Sequence, residues 1–262
     1  MAAVITLTTD FGTRDPYVAE MKAVILGLHA AVRLVDVTHD VAAHDVVEAG
    51  LAIEAMASVC PRGTVHVAVV DPGVGTSRDI VAVEAQGHLF LAPDNGLLAP
   101  IVIRHPEATL TRLQAEKLVP LGITQPSATF HGRDIFAPVA AELAAGRCRP
   151  TDLGDPLRSL IPAWVEEPSA DGSGVSGVVI TIDTFGNLIT NIDGKLLERF
   201  ANPQIRAGNH VFPLRRTYGD VQPGDYLALI NSFGVLEIAR AEQSAAEGLG
   251  LSRGAPVTVR DR

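Results

Sequence analysis

The sequence predicts an α/β N-terminal domain on a mostly parallel sheet, followed by a smaller all-β, barrel-like C-terminal domain. Three observations carry this. Short β-branched runs alternate with stretches of helical periodicity through the first half of the chain, the pattern of βα units. Beyond residue 160 the pattern changes to short strand-like runs between glycine turns. Between the two lies EEPSADGSGVSG, whose Gly, Ser, Pro and acidic content reads as a linker. The expected division is 1–160 for the α/β domain, 161–174 for the linker and 175–262 for the β domain.

AVITLT (3–8) reads as the first strand and ends on the polar loop TTDFGTRD. The next stretch, PYVAEMKAVILGLHAAV, places Val18, Met21, Val24, Ile25 and Leu28 at helical spacing, with Pro16 near its start. RLVDVT (33–38) is the second strand. In HDVAAHDVVEAGLAIEAMASV a loop leads into a helix, with Asp45 placed to cap it and Glu48 three residues on. TVHVAVVD (64–71) is the third strand. IVAVEAQGHLFLAPDNG holds two short strands about a turn at Gln86-Gly87. LLAPIVIRH reads as a short helix, ATLTRL as a weak strand, and FHGRDIFAPVAAELAAG as a loop and a helix ending at Gly146. In the C-terminal part VSGVVITIDTFGNLITNI, HVFPLRRTYGDV, DYLALINSFGVLEIAR and APVTVRDR read as strands, and only KLLERFA offers a helix. Loops that follow parallel strands share one sheet edge. The acids of TTDFGTRD, THD and VVDPGVG are therefore expected to converge.

Composition narrows the function. The 262 residues carry a net charge of −9, with 47% hydrophobic and 19% charged residues, which suits one large or two modest globular domains. No run of clustered Lys and Arg is present, so nucleic acid is not expected as the main partner. Cys60 and Cys148 form no C-x-x-C pair and no disulfide framework, as in a reducing compartment. MAAVITLTTDFG lacks the charged start of a signal peptide, and no apolar run nears the ~18 residues of a membrane helix. A soluble, cytoplasmic protein with no membrane partner is expected.

Several segments carry chemistry-bearing residues. In VVDPGVGTSRD, Gly73 and Gly75 give only G-x-G, and a strand follows, so neither a Walker loop nor a dinucleotide loop is present. What remains is a Pro-Gly turn, or an acid–cation pair of Asp71 and Arg78. In THDVAAHD, His39 and His44 are five apart, off a common helix face, so a polar loop with a helix cap is favoured and no metal ligands are assigned. FHGRDIF lacks the other kinase elements. Its His131, beside Arg133 and Asp134, is either an acid/base element or a surface histidine. TTDFGTRD offers carboxylates for sugar hydroxyls, or an Asx-turn. In IDTFGNLITN and NSFGVLEIAR, Phe185 and Phe233 could stack on a purine with Asn187 at its edge, or each could fill a hairpin turn.

Taken in order, TTDFG, VVDPGVGTSRD, PDNGLL, FHGRDIF, IDTFGN, NSFG and IAR closely resemble the motifs of the S-adenosyl-L-methionine (SAM) hydroxide adenosyltransferases. These are adenosine-forming SAM hydrolases, related to the SAM-dependent fluorinase and chlorinase. The resemblance runs from about residue 4 to the C-terminus. It implies a homotrimer that binds SAM between the N-terminal domain of one subunit and the C-terminal domain of its neighbour. It puts the water-holding set on Asp71, Arg78 and His131, for attack on ribose C5′ with loss of methionine. It puts the ribose on Asp10 and the adenine side on Asp183, Phe185 and Asn187. The methionine ammonium falls to Asp15 and Asp183, and its carboxylate to the NSFG segment, Ser232 especially. SAM is the substrate, and neither cofactor nor metal is implied.

Attack at C5′ expels a neutral thioether from a sulfonium, so positioning and desolvation supply much of the rate. Orientation of water with late proton loss is expected, rather than a preformed hydroxide. Halogenation is the close rival. In the halogenases the Asp-Arg-His set is broken, and a small hydroxylic residue stands beside the loop matching FHGRD. Here all three residues are present and Gly132 has no hydroxyl. A non-catalytic SAM- or adenosine-binding protein and a calcium-dependent nucleoside hydrolase remain as further readings.

Overall fold

The computed structural model describes residues 3–162 and 167–261. The chain forms two compact units, Met1–Trp164 and Val165–Arg262. Residues 163–166 of the expected linker lie outside the described residues, and Ser169–Ala170, within that linker, form a short strand.

The first unit begins with β1 (Val4–Thr9), α1 (Tyr17–Leu28), β2 (Arg33–Thr38), α2 (Val46–Ala57) and β3 (Val65–Val69). It continues through β4 (Ile80–Ala85), β5 (His88–Pro93), α3 (Ala99–Arg104), β6 (Thr109–Leu113), α4 (Ala115–Leu118), α5 (Ala137–Ala144), α6 (Pro150–Leu153) and β7 (Gly154–Pro156). Asp45 caps α2, its Oδ1 accepting the N–H groups of Val47 and Glu48. Glu48 does not close the capping box; it accepts from the Ala42 N–H instead.

The sheet runs β2-β1-β3-β5-β4-β6-β7. Pairing is parallel from β2 to β5 and antiparallel from β5 to β7. The sheet is thus mixed, and the expectation of a mostly parallel sheet is corrected. The cause is local. Gln86 (φ 50°) and Gly87 (φ 81°) make a two-residue turn between β4 and β5, and so tight a connection permits only an antiparallel pair. Alternation along β3 sends Val65, Val67 and Val69 to a core shared with Met21, Ile25 and Val139, and Ala68 and Val70 to a core shared with Ile53 and Ile101. Helices therefore cover both faces, and the strand ends are left to carry polar loops.

The second unit contains β8 (Ser169–Ala170), β9 (Val175–Ile182), β10 (Leu188–Asp193), β11 (Pro203–Ala207), β12 (His210–Pro213), β13 (Tyr226–Ile230), β14 (Val235–Arg240), α7 (Ala245–Leu249) and β15 (Pro256–Asp261). The sheet order is β12-β11-β15-β9-β10-β14-β13, with β8 on β9. Leu214, just past β12, bridges to Ala228 in β13, so the two edge strands meet and the sheet is nearly a closed barrel. Phe212, Ile205, Leu236, Ile238 and Val259 fill it. KLLERFA gives only a 3₁₀ turn, Gly194–Leu197. The helix lies instead at α7, where Ser244 Oγ accepts the Glu247 N–H. Among the described residues no helix is long and apolar enough to cross a membrane.

Candidate active site

The parallel registers set Thr8 beside Thr38 and Thr9 beside Val69. The chain therefore leaves β1, β2 and β3 at one edge, and Asp10, His39 and Asp71 follow within two residues. Asn95, after β5, donates from Nδ2 to the Val70 carbonyl at 2.8 Å and anchors the residue before Asp71. The loop from Asp71 to Arg78 is a pair of turns, Val74 N–H to Asp71 O and Thr76 N–H to Gly73 O. Gly75 sits at φ 77°, and a Cβ there would lie 2.2 Å from the Ala128 carbonyl oxygen. Only glycine lets this loop rest on the segment that leads to His131.

The turns bring both ends of the loop together. Arg78 Nε donates to both oxygens of Asp71 at 3.0 Å, and a terminal nitrogen reaches Oδ2 at 2.5 Å. The same terminal nitrogen lies 2.7 Å from His131 Nδ1, across 53 residues of sequence. The Asp71 and Arg78 side chains are 4% and 10% exposed, so this is a desolvated pair rather than a surface bridge. His131 is presented by a π-turn, Gly132–Phe136, that leads into α5.

Proton positions follow from chemistry. Arg78 has no acceptor, so Nδ1 of His131 must accept, and a neutral ring then carries its proton on Nε2. Burial is the main cause that lowers the His131 pKa, with the Arg78 guanidinium adding to it; Asp71 and Asp134 oppose. The imidazole is therefore neutral at neutral pH, with Nε2–H available as a donor. Asp71 is the acceptor beside it.

Asp71 and His131 line one cleft of about 360 Å³ with Phe11, Tyr17, Phe130 and Arg133. Phe11, Tyr17 and Phe130 meet edge to face, with centroids 5.1–5.9 Å apart. Arg133 ties this wall to α1 through Glu20 at 2.8 Å and stacks over Phe130. From the TTDFGTRD loop the lining takes Phe11, not Asp10 or Asp15. Asp10 Oδ2 accepts the His44 N–H at 3.0 Å, and Asp15 is exposed. Among the described residues no group of three His, Cys, Asp or Glu side chains is arranged to hold a metal ion.

The remaining expected residues lie in the second unit. Asp183 Oδ1 accepts the N–H groups of Phe185 and Asn187, and its Oδ2 accepts from Asn187 Nδ2 at 2.9 Å. Asp183 thus builds the turn that displays Phe185, which is 79% exposed. Phe185 and Asn187 line a pocket of about 500 Å³ with Tyr218, Arg240 and Ser244. Asp183 and Ser232 line another of about 420 Å³ with Tyr218, Asn231 and Glu237. Tyr218 borders both. Its hydroxyl donates to the buried Glu237 at 2.6 Å. Burial pushes the Glu237 pKa up and nearby Asp183 adds to this, while Tyr218 and Asn231 pull it down.

Sequence reasoning gave no role to Tyr17, Asn95, Tyr218 or Glu237. The one legible signal was Glu237, a carboxylate inside the apolar run VLEIA.

Comparison with known proteins agrees across both units. Models of the SAM hydroxide adenosyltransferase N-terminal and C-terminal domains match residues 5–154 and 177–258. The chain is 38% identical to an (R)-S-adenosyl-L-methionine hydrolase of Thermus thermophilus, covering 96% of this chain and 97% of that one. It is 32% identical to a fluorinase of Actinoplanes sp., over 98% and 97% of the two chains. A solved structure of an uncharacterized conserved protein from Thermotoga maritima superposes with a TM-score of 0.89 at 34% identity, over 98% and 99% of the chains. On its sequence motifs, the match of both domain models and full-length likeness to these relatives, the chain belongs to the SAM hydroxide adenosyltransferase family.

Proposed function

We propose that the protein hydrolyses SAM to adenosine and L-methionine, without a metal or cofactor. The observation that carries this is the partly buried Asp71–Arg78–His131 cluster on the wall of a cleft, in a chain whose relatives at 38% identity are named as SAM hydrolases. A water is held by the Asp71 carboxylate and oriented by His131 Nε2–H. Its oxygen bonds to ribose C5′ as the C5′–S bond breaks. The bond's electron pair neutralises the sulfonium, and the water proton departs late, to Asp71 or to solvent. Asp10 binds the ribose hydroxyls. Phe185 and Asn187 take the adenine, and Asp15, Asp183 and Ser232 take the methionine end.

Halogenation is disfavoured at Gly132. A Cβ there would meet Phe130, Met21 and Phe11 at 3.1, 3.2 and 3.3 Å, so a hydroxylic side chain fits only if those neighbours give way. Purified protein incubated with SAM and chelator is expected to release adenosine, and Asp71→Ala is expected to release none above background. No adenosine from the wild type would leave only a SAM-binding role, and equal release from both proteins would remove Asp71 from the reaction.

The same reading makes the active form a homotrimer in which unit 1 of one copy meets unit 2 of the next. The exposed ring of Phe185 suits a surface that a substrate or a neighbour covers. Mixing Asp71→Ala with Phe185→Ala protein is expected to regain part of the activity each has lost. A monomer by light scattering would overturn the shared site.

A further inference from the structure

The segment THDVAAHD takes no part in the reaction above, yet its first histidine is 5% exposed and tightly held. His39 Nδ1 lies 2.9 Å from Thr9 Oγ1. Its Nε2 makes a bent contact of 3.0 Å with Asp36 Oδ1. Asp36 Oδ2 in turn accepts from Lys22 Nζ at 2.6 Å. Hydroxyl, imidazole and carboxylate in series are the parts of a hydrolytic triad. Thr9 is fully buried at the end of β1, however, so no substrate reaches its hydroxyl. Nucleophilic use is excluded, and the series needs another explanation.

The direction of its protons supplies one. Ionised Asp36 only accepts; its Oδ1, 3.0 Å from Nε2 but outside hydrogen-bond geometry, favours the tautomer with the ring proton on Nε2. Nδ1 then accepts, and Thr9 gives it the O–H. That turns the remaining lone pairs of Thr9 Oγ1 to the Phe11 N–H, 3.3 Å away. The His39 carbonyl accepts the Gly12 N–H at 2.7 Å, where Gly12 sits at φ 67°. Between them, Asp10 accepts the His44 N–H. The turn that carries Asp10 and Phe11 is therefore tied at three points to residues 39–44 and to Thr9.

We infer that His39 is a positioning residue, which acts through Thr9 to fix the Asp10–Gly12 turn and so the Asp10 carboxylate and the Phe11 wall of the cleft. The inference rests on the reading of this site as a SAM hydrolase with Asp10 on the ribose. Its hydrogen-bond direction can be tested without that reading.

Thr9→Val keeps the shape and the β-branch but removes the hydroxyl, and is expected to lower kcat/KM for SAM about tenfold or more, as small displacements in a site do. Thr9→Ser is expected to recover most of the loss. In an Asp10→Ala background Thr9→Val is expected to cost clearly less than it does alone, because the share that acts through Asp10 is gone and only the Phe11 wall is left to position. Losses that add in the double variant, or wild-type activity in Thr9→Val, would overturn the inference while leaving the hydrolase reading intact. If the wild type releases no adenosine, the hydrolase reading fails by itself. The relay is then decided by ¹⁵N NMR of the His39 ring in the wild type. A proton on Nε2 is expected, and a proton on Nδ1 would overturn it.

Discussion

Arg78→Met is expected to lower adenosine formation about 10³-fold, the scale seen when a preorganised electrostatic group is removed from a site. It is also expected to move the acid limb of kcat to higher pH. Arg78 does two things at once: it grips both oxygens of Asp71 and occupies His131 Nδ1. Without it the Asp71 carboxylate loses its partner, and His131 loses one of the two influences that lower its pKa. Asp71 and Asp134, which push that pKa up, remain.

The sign follows. The working ring is neutral, so wild-type activity is full above the ordinary histidine value of about 6.5 and is lost as pH falls through a lower value. In the variant the loss begins at higher pH. Arg78→Lys restores the charge but not the fork, and is expected to fall between. The check is kcat against pH for the three proteins. An acid limb that stays put in Arg78→Met would show that Arg78 does not control the protonation of His131.

The second large effect concerns stability. His66, on β3, is fully buried, with Nδ1 2.9 Å from Thr6 Oγ1, Nε2 3.2 Å from His88 Nδ1 and its ring stacked on Phe90. Burial first, and His88 after it, pull its pKa down to about 3. The unfolded chain takes up this proton near the ordinary value of about 6.5, and the folded chain refuses it until about pH 3. Stability from this group is complete above about pH 6.5 and drains away as pH falls toward the folded value. Between pH 6.5 and 4.5 the loss comes to about 2 kcal/mol. Denaturant midpoints measured across that range should fall steeply for the wild type and less steeply for His66→Gln, which keeps a polar group but no titration. Parallel slopes would refute the assignment.

How much of this the sequence could reveal depends on distance along the chain. β1, β2 and the Asp45 cap were legible because periodicity and capping are local rules. Asp71 and Arg78 were legible as a pair because only seven residues of one loop separate them. The Gln86-Gly87 turn was also visible, and it already required an antiparallel pair. The alternation of strands and helices outweighed it, and the sheet was expected to be mostly parallel. Helix α7 is too short for periodicity to register, whereas KLLERFA is apolar enough to imitate a longer helix. Nothing in residue spacing could join Arg78 to His131, Gly75 to Ala128 or Thr9 to His39. Those contacts depend on strand register and on which loops share an edge, and both are properties of the folded sheet.

The π-turn before α5 has a genetic consequence. An α-helix advances about 100° per residue, so a turn holding one residue more than the α form rotates everything ahead of it by that amount. His131 stands just ahead of that turn and faces Arg78, while Val139 and Ala140 behind it remain buried in the core. The difference between a histidine aimed at the guanidinium and one aimed elsewhere is a single codon between Gly132 and Phe136. In-frame loss of one codon there is expected to swing His131 away from Arg78 and to disturb Phe130, Ile135 and Phe136, which share the core.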